Sequence, residues 1–77
     1  MENIGENIRK IRKLLDIKQS AMAEMLELSV TSYGKLERNE VEIKPERLKQ
    51  IAAIFEMDLI YILNFKLFLK RLKERNR

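Results

Sequence analysis

The chain has 77 residues, of which 45% are hydrophobic, with two glycines, one proline and a formal net charge of +4 at pH 7. This composition predicts one small ordered domain and argues against a disordered segment. Cysteine and histidine are both absent, so a disulfide framework is excluded, the commonest general base and metal ligand are missing, and we expect no enzyme, no metal site and no cofactor.

A first helix is predicted by a capping signal followed by apolar periodicity. Asn3 and Glu6 have the spacing of a capping box at a helix start. Apolar residues then recur at helical spacing at Ile4, Ile8, Ile11 and Leu15. This helix is expected to end near Asp16, because aspartate tolerates the left-handed conformation in which a chain often leaves a helix.

Residues 19–38 predict two short helices joined by a tight turn. One side of the first helix is formed by Met22, Ala23 and Leu26, and one side of the second by Tyr33 and Leu36. Ser29 is a good N-cap, so the second helix should begin at Val30. The turn places Glu27 where glycine would suit a positive φ. Such a pair leaves the N-terminal half of its second helix projecting from the domain, a geometry that suits the major groove of DNA.

Two further helices are expected before residue 64. Pro45 marks the first turn of the fourth helix, and Asp58 is predicted to cap the fifth. Their core positions are Leu48, Ile51, Ala52 and Phe55 in the fourth helix and Leu59, Ile62 and Leu63 in the fifth. Because no obvious helix breaker follows Leu63, the fifth helix is expected to continue into the tail.

The tail, residues 65–77, is predicted to be a basic amphipathic helical extension of a domain that spans residues 1–64. Residues 66–77 hold six basic residues and one acidic residue, whereas the first 65 residues hold ten and eleven. Three interpretations stay open: a dimer seam, folding back onto the core, or a basic helix lying on a membrane. The dimer interface would contain Ile60, Tyr61, Phe65, Phe68 and Leu72. The tail cations could also attract phosphates non-specifically.

Taken in order, these residues resemble the lambda-repressor-like (Xre/Cro family) helix-turn-helix domains. The motif residues that carry the resemblance are Gln19, Ala23, Leu28, Ser29, Tyr33, Leu36 and Glu37. The likeness extends to IGENIRKIR before the motif and LKQIAAIFEMDLIYIL after it, roughly residues 4–63. It implies a compact, all-α, five-helix lambda-repressor-like domain, here with an extended C-terminal helix.

The resemblance also implies roles for individual residues. Arg12 and Glu37 match a family ion pair that ties the first helix to the recognition helix. Val30, Thr31 and Lys35 face outward and are expected to contact bases, because small, hydroxyl and long basic side chains read base edges. Phosphate contacts are expected from residues that flank the two helices, namely Lys18, Gln19, Ser29, Ser32, Arg38, Asn39 and Lys44.

The resulting hypothesis is a sequence-specific, repressor-like transcription regulator that binds double-stranded DNA as a homodimer on a two-fold operator, with helix 30–38 in the major groove. The alternative is a protein-interaction module that keeps the fold and binds a protein partner through its apolar C-terminal helix. No apolar run approaches the ~18 residues of a membrane span, and no secretory signal is recognisable. A cytoplasmic protein that spans no membrane is therefore expected, and a membrane is not an expected partner unless the tail lies on one.

Overall fold

The computed structural model describes residues 3–75, and the regular secondary structure in that range is all α-helical. The six helices are α1 Ile4–Leu14, α2 Gln19–Met25, α3 Val30–Glu37, α4 Pro45–Ile54, α5 Ile60–Leu63 and α6 Phe65–Arg75. None of them is both long enough and apolar enough to cross a membrane. The prediction of an all-α fold is confirmed. Residues 1–2 and 76–77 lie outside the described range, and with them Arg77 of the basic tail.

Local capping signals determine where three of the helices begin. The Asn3 side chain accepts a hydrogen bond from the backbone N–H of Glu6 at 2.8 Å, and Ser29 Oγ accepts one from the N–H of Ser32 at 3.0 Å. Each bond satisfies a donor that has no partner inside the helix. Pro45 is the first residue of α4, where its missing N–H removes no helical bond. These starts agree with the sequence prediction.

The chain leaves the first four helices through a residue in the left-handed conformation. The φ angles are 58° at Asp16, 57° at Glu27, 57° at Asn39 and 53° at Glu56. The sequence indicated a left-handed conformation at Asp16 and Glu27, and it gave no such indication at Glu56. At Glu27 the left-handed conformation has a steric cost of about 1 kcal/mol that glycine would avoid. The packing of the helices on either side of Glu27 must offset this cost.

The core surrounds α1, whose inner face contacts both α3 and α5. Its buried apolar members are Ile8, Ile11, Met22, Ala23, Leu26, Tyr33, Leu36, Ile51, Ala52, Phe55, Ile62 and Phe68. Asn7 is one of three buried polar side chains in the described residues, beside Arg12 and Glu37, and its Nδ2 donates to the carbonyl oxygen of Ile62 at 2.9 Å. That bond fixes the four-residue α5 against α1, which a helix of one turn could not achieve through its own hydrogen bonds.

The predicted cap of α5 is wrong. The helix begins at Ile60 with no side-chain cap, and the N–H of Tyr61 is accepted by the backbone carbonyl of Asp58 at 3.1 Å instead of its carboxylate. A backbone turn over residues 58–61 thus satisfies the donor that the side chain was expected to take.

The C-terminal extension is a separate sixth helix, so the expectation of a continuous fifth helix is wrong. Asn64 adopts an extended conformation, with φ −138° and ψ 94°, and its Oδ1 accepts from the N–H of Leu67 at 3.2 Å to start α6. The bend allows Phe68, only 5% exposed, to enter the core, where its ring stacks on Phe65 with centroids 5.9 Å apart. Of the three interpretations of the tail, the structure therefore shows folding back.

Candidate nucleic-acid interface

The α3 helix presents one face to the core and the other to solvent. Tyr33 and Leu36 are buried, while Val30 is 49% exposed and Thr31 and Lys35 are exposed. This division follows from the helical period, because positions three apart share a face. All three residues expected to contact bases thus lie on one accessible surface.

The C-terminal end of α3 is held by the Glu37 carboxylate, which accepts hydrogen bonds from side chains of α1, α2 and α3 itself. Arg12 of α1 donates from Nε to Oε2 at 2.6 Å and from Nη2 to Oε1 at 3.2 Å. Gln19 of α2 donates to Oε1 at 3.0 Å, and the Tyr33 hydroxyl donates to Oε2. Arg12 Nη1 also donates to the carbonyl oxygen of Ile17 at 2.9 Å. The pair that the family resemblance implied is therefore the centre of a larger network.

The network fixes the protonation states of its members. Burial alone raises the pKa of Glu37, but the hydrogen bonds from Arg12, Tyr33 and Gln19 outweigh it, so the pKa lies below its ordinary 4.5. The hydrogen bond to Glu37 raises the pKa of Arg12 despite its burial. Burial, followed by the bond to Glu37, raises the pKa of Tyr33. At neutral pH the carboxylate is ionised and faces a cation and a neutral phenol, so its acceptor positions are filled.

The residue that follows the C-cap of α3, Asn39, is fixed to the start of α1. Asn39 Oδ1 accepts from the N–H of Gly5 at 3.1 Å, and its amide nitrogen donates to Asn3 Oδ1. A Cβ on Gly5 would lie 2.3 Å from the carbonyl oxygen of Leu36, so the two helices approach this closely only because residue 5 is glycine. Together with the Glu37 network, this contact anchors the C-terminal end of α3 to α1 and α2.

The residues expected to contact phosphate differ in how their side chains are engaged. Lys18 and Lys44 are exposed directly before α2 and α4 and make no side-chain cap. Arg38 is exposed and paired with Glu40 at 2.6 Å. Ser29 and Ser32 bond to each other at 3.0 Å at the start of α3.

The side chains of the remaining two residues form hydrogen bonds within the protein. Gln19 donates to Glu37, and Asn39 accepts from the N–H of Gly5 at the start of α1. An open groove of about 790 Å³ runs beside α3, and Ser32, Lys35 and Lys44 lie along it. The structure thus brings three of the expected contact residues to one groove.

Three contributors to the site were not recognised in the sequence. Tyr33 was assigned to the core alone, although its spacing of four from Glu37 on one helix is a signal for a contact. The link from Asn39 to Gly5 spans 34 residues and left no local signal. Arg47 of α4 donates to the carbonyl oxygen of Leu26 at 3.1 Å and to Gln50 at 3.0 Å, which attaches α4 to the end of α2.

This arrangement defines the class of protein. A family model described as Helix-turn-helix matches residues 8–62, and the chain belongs to that family of DNA-binding domains, in its lambda-repressor-like (Xre) branch. The chain is similar to the DNA-binding domain of the P22 c2 repressor, solved by nuclear magnetic resonance: 32% identity, TM-score 0.73, covering 80% of this chain and 82% of that one.

A second similar structure is the crystal structure of the P22 c2 repressor in complex with a synthetic operator, 9T. Its identity to this chain is 31% and its TM-score 0.70, and the match covers 83% of this chain and 97% of that one. No curated protein sequence matches the chain. The two solved structures confirm the lambda-repressor-like fold. The family match ends at residue 62, so α6 lies outside it.

Proposed function

We propose that the chain is a sequence-specific, repressor-like regulator that places α3 in the major groove of an operator. The observation that carries this proposal is the exposed face of Val30, Thr31 and Lys35 on a helix whose C-terminal end is anchored to α1 and α2. A helix that reads base edges must keep its orientation while the side chains on its outer face stay accessible to the DNA. The similar P22 c2 repressor, crystallised with a synthetic operator, supports the assignment.

Contacts to the operator divide into base readout and backbone positioning. Lys35 is suited to a guanine, and Val30 and Thr31 to a thymine methyl group or a base edge. Lys18, Lys44, Ser29 and Ser32 flank α3 and are suited to phosphates. Gln19 would contact phosphate while it braces Glu37.

The two remaining phosphate candidates are engaged within the protein. Arg38 would exchange Glu40 for a phosphate group, which is possible because the pair is exposed and weak. Asn39 we assign to the link between α3 and α1.

A homodimer on a two-fold operator is part of the proposal. Exposed apolar residues on α5, Ile60 at 48% and Leu63 at 40%, lie three positions apart and so on one face. Phe68 is used in the core of its own chain, while Tyr61, Phe65 and Leu72 are partly buried against it. The surface available to a second copy is therefore centred on α5 and is smaller than the sequence predicted. It also leaves less of α6 for the alternative function, a protein-interaction module.

The decisive experiment measures base preference after one substitution on α3. Selection from a randomised duplex library should return a consensus for the native protein, and Lys35→Ala should relax the preference at one position per half-site by about 1–3 kcal/mol. Lys49→Ala, which removes an exposed cation from α4, serves as the control and should leave the consensus unchanged. A uniform loss of affinity across all sequences would make Lys35 a phosphate contact, and the absence of any consensus from the native protein would remove the proposal.

A further inference from the structure

The positive charge of the described chain is concentrated on α6. Phe65–Arg75 carries five basic residues and one acidic residue, whereas residues 3–64 carry ten of each. The domain proper is therefore electrically neutral, and its whole excess lies on an 11-residue helix beyond the region that the family shares. Any function of this excess positive charge therefore belongs to α6 and not to the helix-turn-helix core.

Three of the α6 cations form a line on the helix surface. Lys66, Lys70 and Lys73 follow one another at spacings of four and three residues, which places them on one face, and all three are exposed. This α6 lysine stripe extends over roughly 10 Å of helix. The ion pairs within residues 3–75 are Glu6–Lys10, Arg12–Glu37 and Arg38–Glu40. None of them involves the stripe, and the one carboxylate on α6, that of Glu74, is not paired with it.

The apolar side of α6 is already used. Phe68 is buried, and Phe65 and Leu72 pack against the core. Arg71 lies over the ring of Tyr61, 5.9 Å from its centroid, and donates to its hydroxyl at 3.2 Å. A helix that binds a membrane surface needs its apolar face free to enter the lipid. In this fold the fully exposed residues of α6 are five cations and Glu74, which favours an anionic partner in water.

The proposed operator face, by contrast, has little excess charge. Its exposed cations Lys18, Lys35 and Lys44 are interspersed with Glu27 and Glu42, and Arg38 is already paired with Glu40. Sequence-independent affinity for DNA is almost entirely electrostatic, and it requires uncompensated cations to displace counterions from the phosphates. The face around α3 has few uncompensated cations, whereas α6 has several.

We propose that the α6 lysine stripe is a second nucleic-acid contact surface, which binds duplex phosphates independently of base reading by α3. Base readout and electrostatic attraction would then reside on different elements of the same small domain. The inference goes beyond the proposed function, because the stripe requires no operator and would act on duplex DNA of any sequence.

The test compares two triple variants that remove the same charge from different surfaces. One is Lys66→Gln, Lys70→Gln and Lys73→Gln. The control is Arg9→Gln, Lys13→Gln and Lys49→Gln, which removes three exposed cations that take no part in the ion pairs of residues 3–75 or in the proposed operator contacts. Binding of the full chain to a random-sequence duplex is measured by fluorescence anisotropy over a range of salt concentrations, with circular dichroism to verify folding.

We expect the stripe variant to lose about 2–3 units of the slope of log K against log salt, since each phosphate contact contributes about 0.9. The control should lose less than one unit. An equal loss of slope in both variants would show that only the net charge matters, and it would overturn the proposal. A stripe variant that binds like the native chain would also overturn it. Loss of binding to anionic lipid vesicles with unchanged DNA binding would also overturn it and indicate a membrane partner.

The same variants separate this inference from the operator function. If the stripe variant keeps the native base consensus while its salt slope falls, both proposals hold. If random-duplex binding depends on the stripe but no consensus exists, the operator function fails and the stripe remains. If a consensus exists and the salt slope is insensitive to the stripe, only the present inference fails.

Discussion

A single carboxylate, that of Glu37, connects the three helices that position the candidate DNA-reading surface. Its side chain is 1% exposed and that of Arg12 is 8% exposed, so both charges have lost most of their hydration. Such a pair is stable only when the remaining acceptor positions are filled, and here Gln19 and Tyr33 fill them. The orientation of α3 therefore depends on the ionisation of one residue.

This dependence predicts an acid sensitivity that can be assigned to Glu37. Because its pKa in the folded state lies below the ordinary 4.5, the ionised group contributes stability that is complete above that value and is lost as the pH falls through the folded-state pKa. Glu37→Gln should lower the free energy of unfolding by about 3 kcal/mol at pH 7. The difference between native and variant should narrow below about pH 4.5.

Urea denaturation of both proteins between pH 3 and pH 7 measures this difference. Glu40→Gln is the matched control, since Glu40 is an exposed carboxylate that also bonds an arginine, and it should change stability little at any pH. A Glu37→Gln protein as stable as the native chain at pH 7, or a difference independent of pH, would contradict the assignment.

At the scale of elements, the two glycines lie in very different surroundings although both are in helices. At Gly5 an added Cβ would meet backbone atoms, 2.3 Å from the carbonyl oxygen of Leu36 and 2.8 Å from that of Glu37. Neither oxygen can move without shifting α3. At Gly34 the nearest atom is the Nη1 of Arg38, at 3.0 Å, at the flexible end of an exposed side chain.

The same substitution should therefore have opposite effects at the two positions. Gly5→Ala should destabilise the domain by about 1–3 kcal/mol because it overpacks the contact between α1 and α3. Gly34→Ala should stabilise it by up to about 1 kcal/mol, through the higher helix propensity of alanine. Midpoints of urea denaturation compare the two variants with the native chain, and equal effects of one sign would show that α1 and α3 do not approach as described.

How far the sequence predicts these elements depends on the range of the interaction that determines them. The starts at Asn3 and Ser29 follow from caps that reach three residues, and they were predicted. The break at Asn64 was not, because asparagine does not by itself stop a helix; the bend is set by the burial of Phe68 in the core. The same holds for Asn39, whose partner Gly5 lies far away in sequence. Local signals predict helices, and long-range packing determines how they are joined.

For the whole molecule, a chain of 77 residues buries a limited share of its surface when it folds, so contact with a second copy would add to its stability. The exposed apolar face of α5 is the proposed contact, and a two-fold dimer would place two copies of α3 on one side of a palindromic operator. Cutting the chain after Asn64 is a poor test of that interface, because it also removes Phe68 from the core. A charged residue at an exposed apolar position tests it without disturbing the fold.

Ile60→Lys is expected to convert a dimer into a monomer, because burying an unpaired ammonium group in an apolar contact is strongly unfavourable. Light scattering should give the mass of two chains for the native protein and of one for the variant, and the variant should bind a two-site operator no more tightly than a single half-site. Met25→Lys is the control, since Met25 of α2 is 52% exposed and lies outside the proposed contact, so that variant should remain dimeric. A native chain that is monomeric at the concentrations used for operator binding, or an Ile60→Lys protein that keeps the mass of two chains, would rule out α5 as the interface.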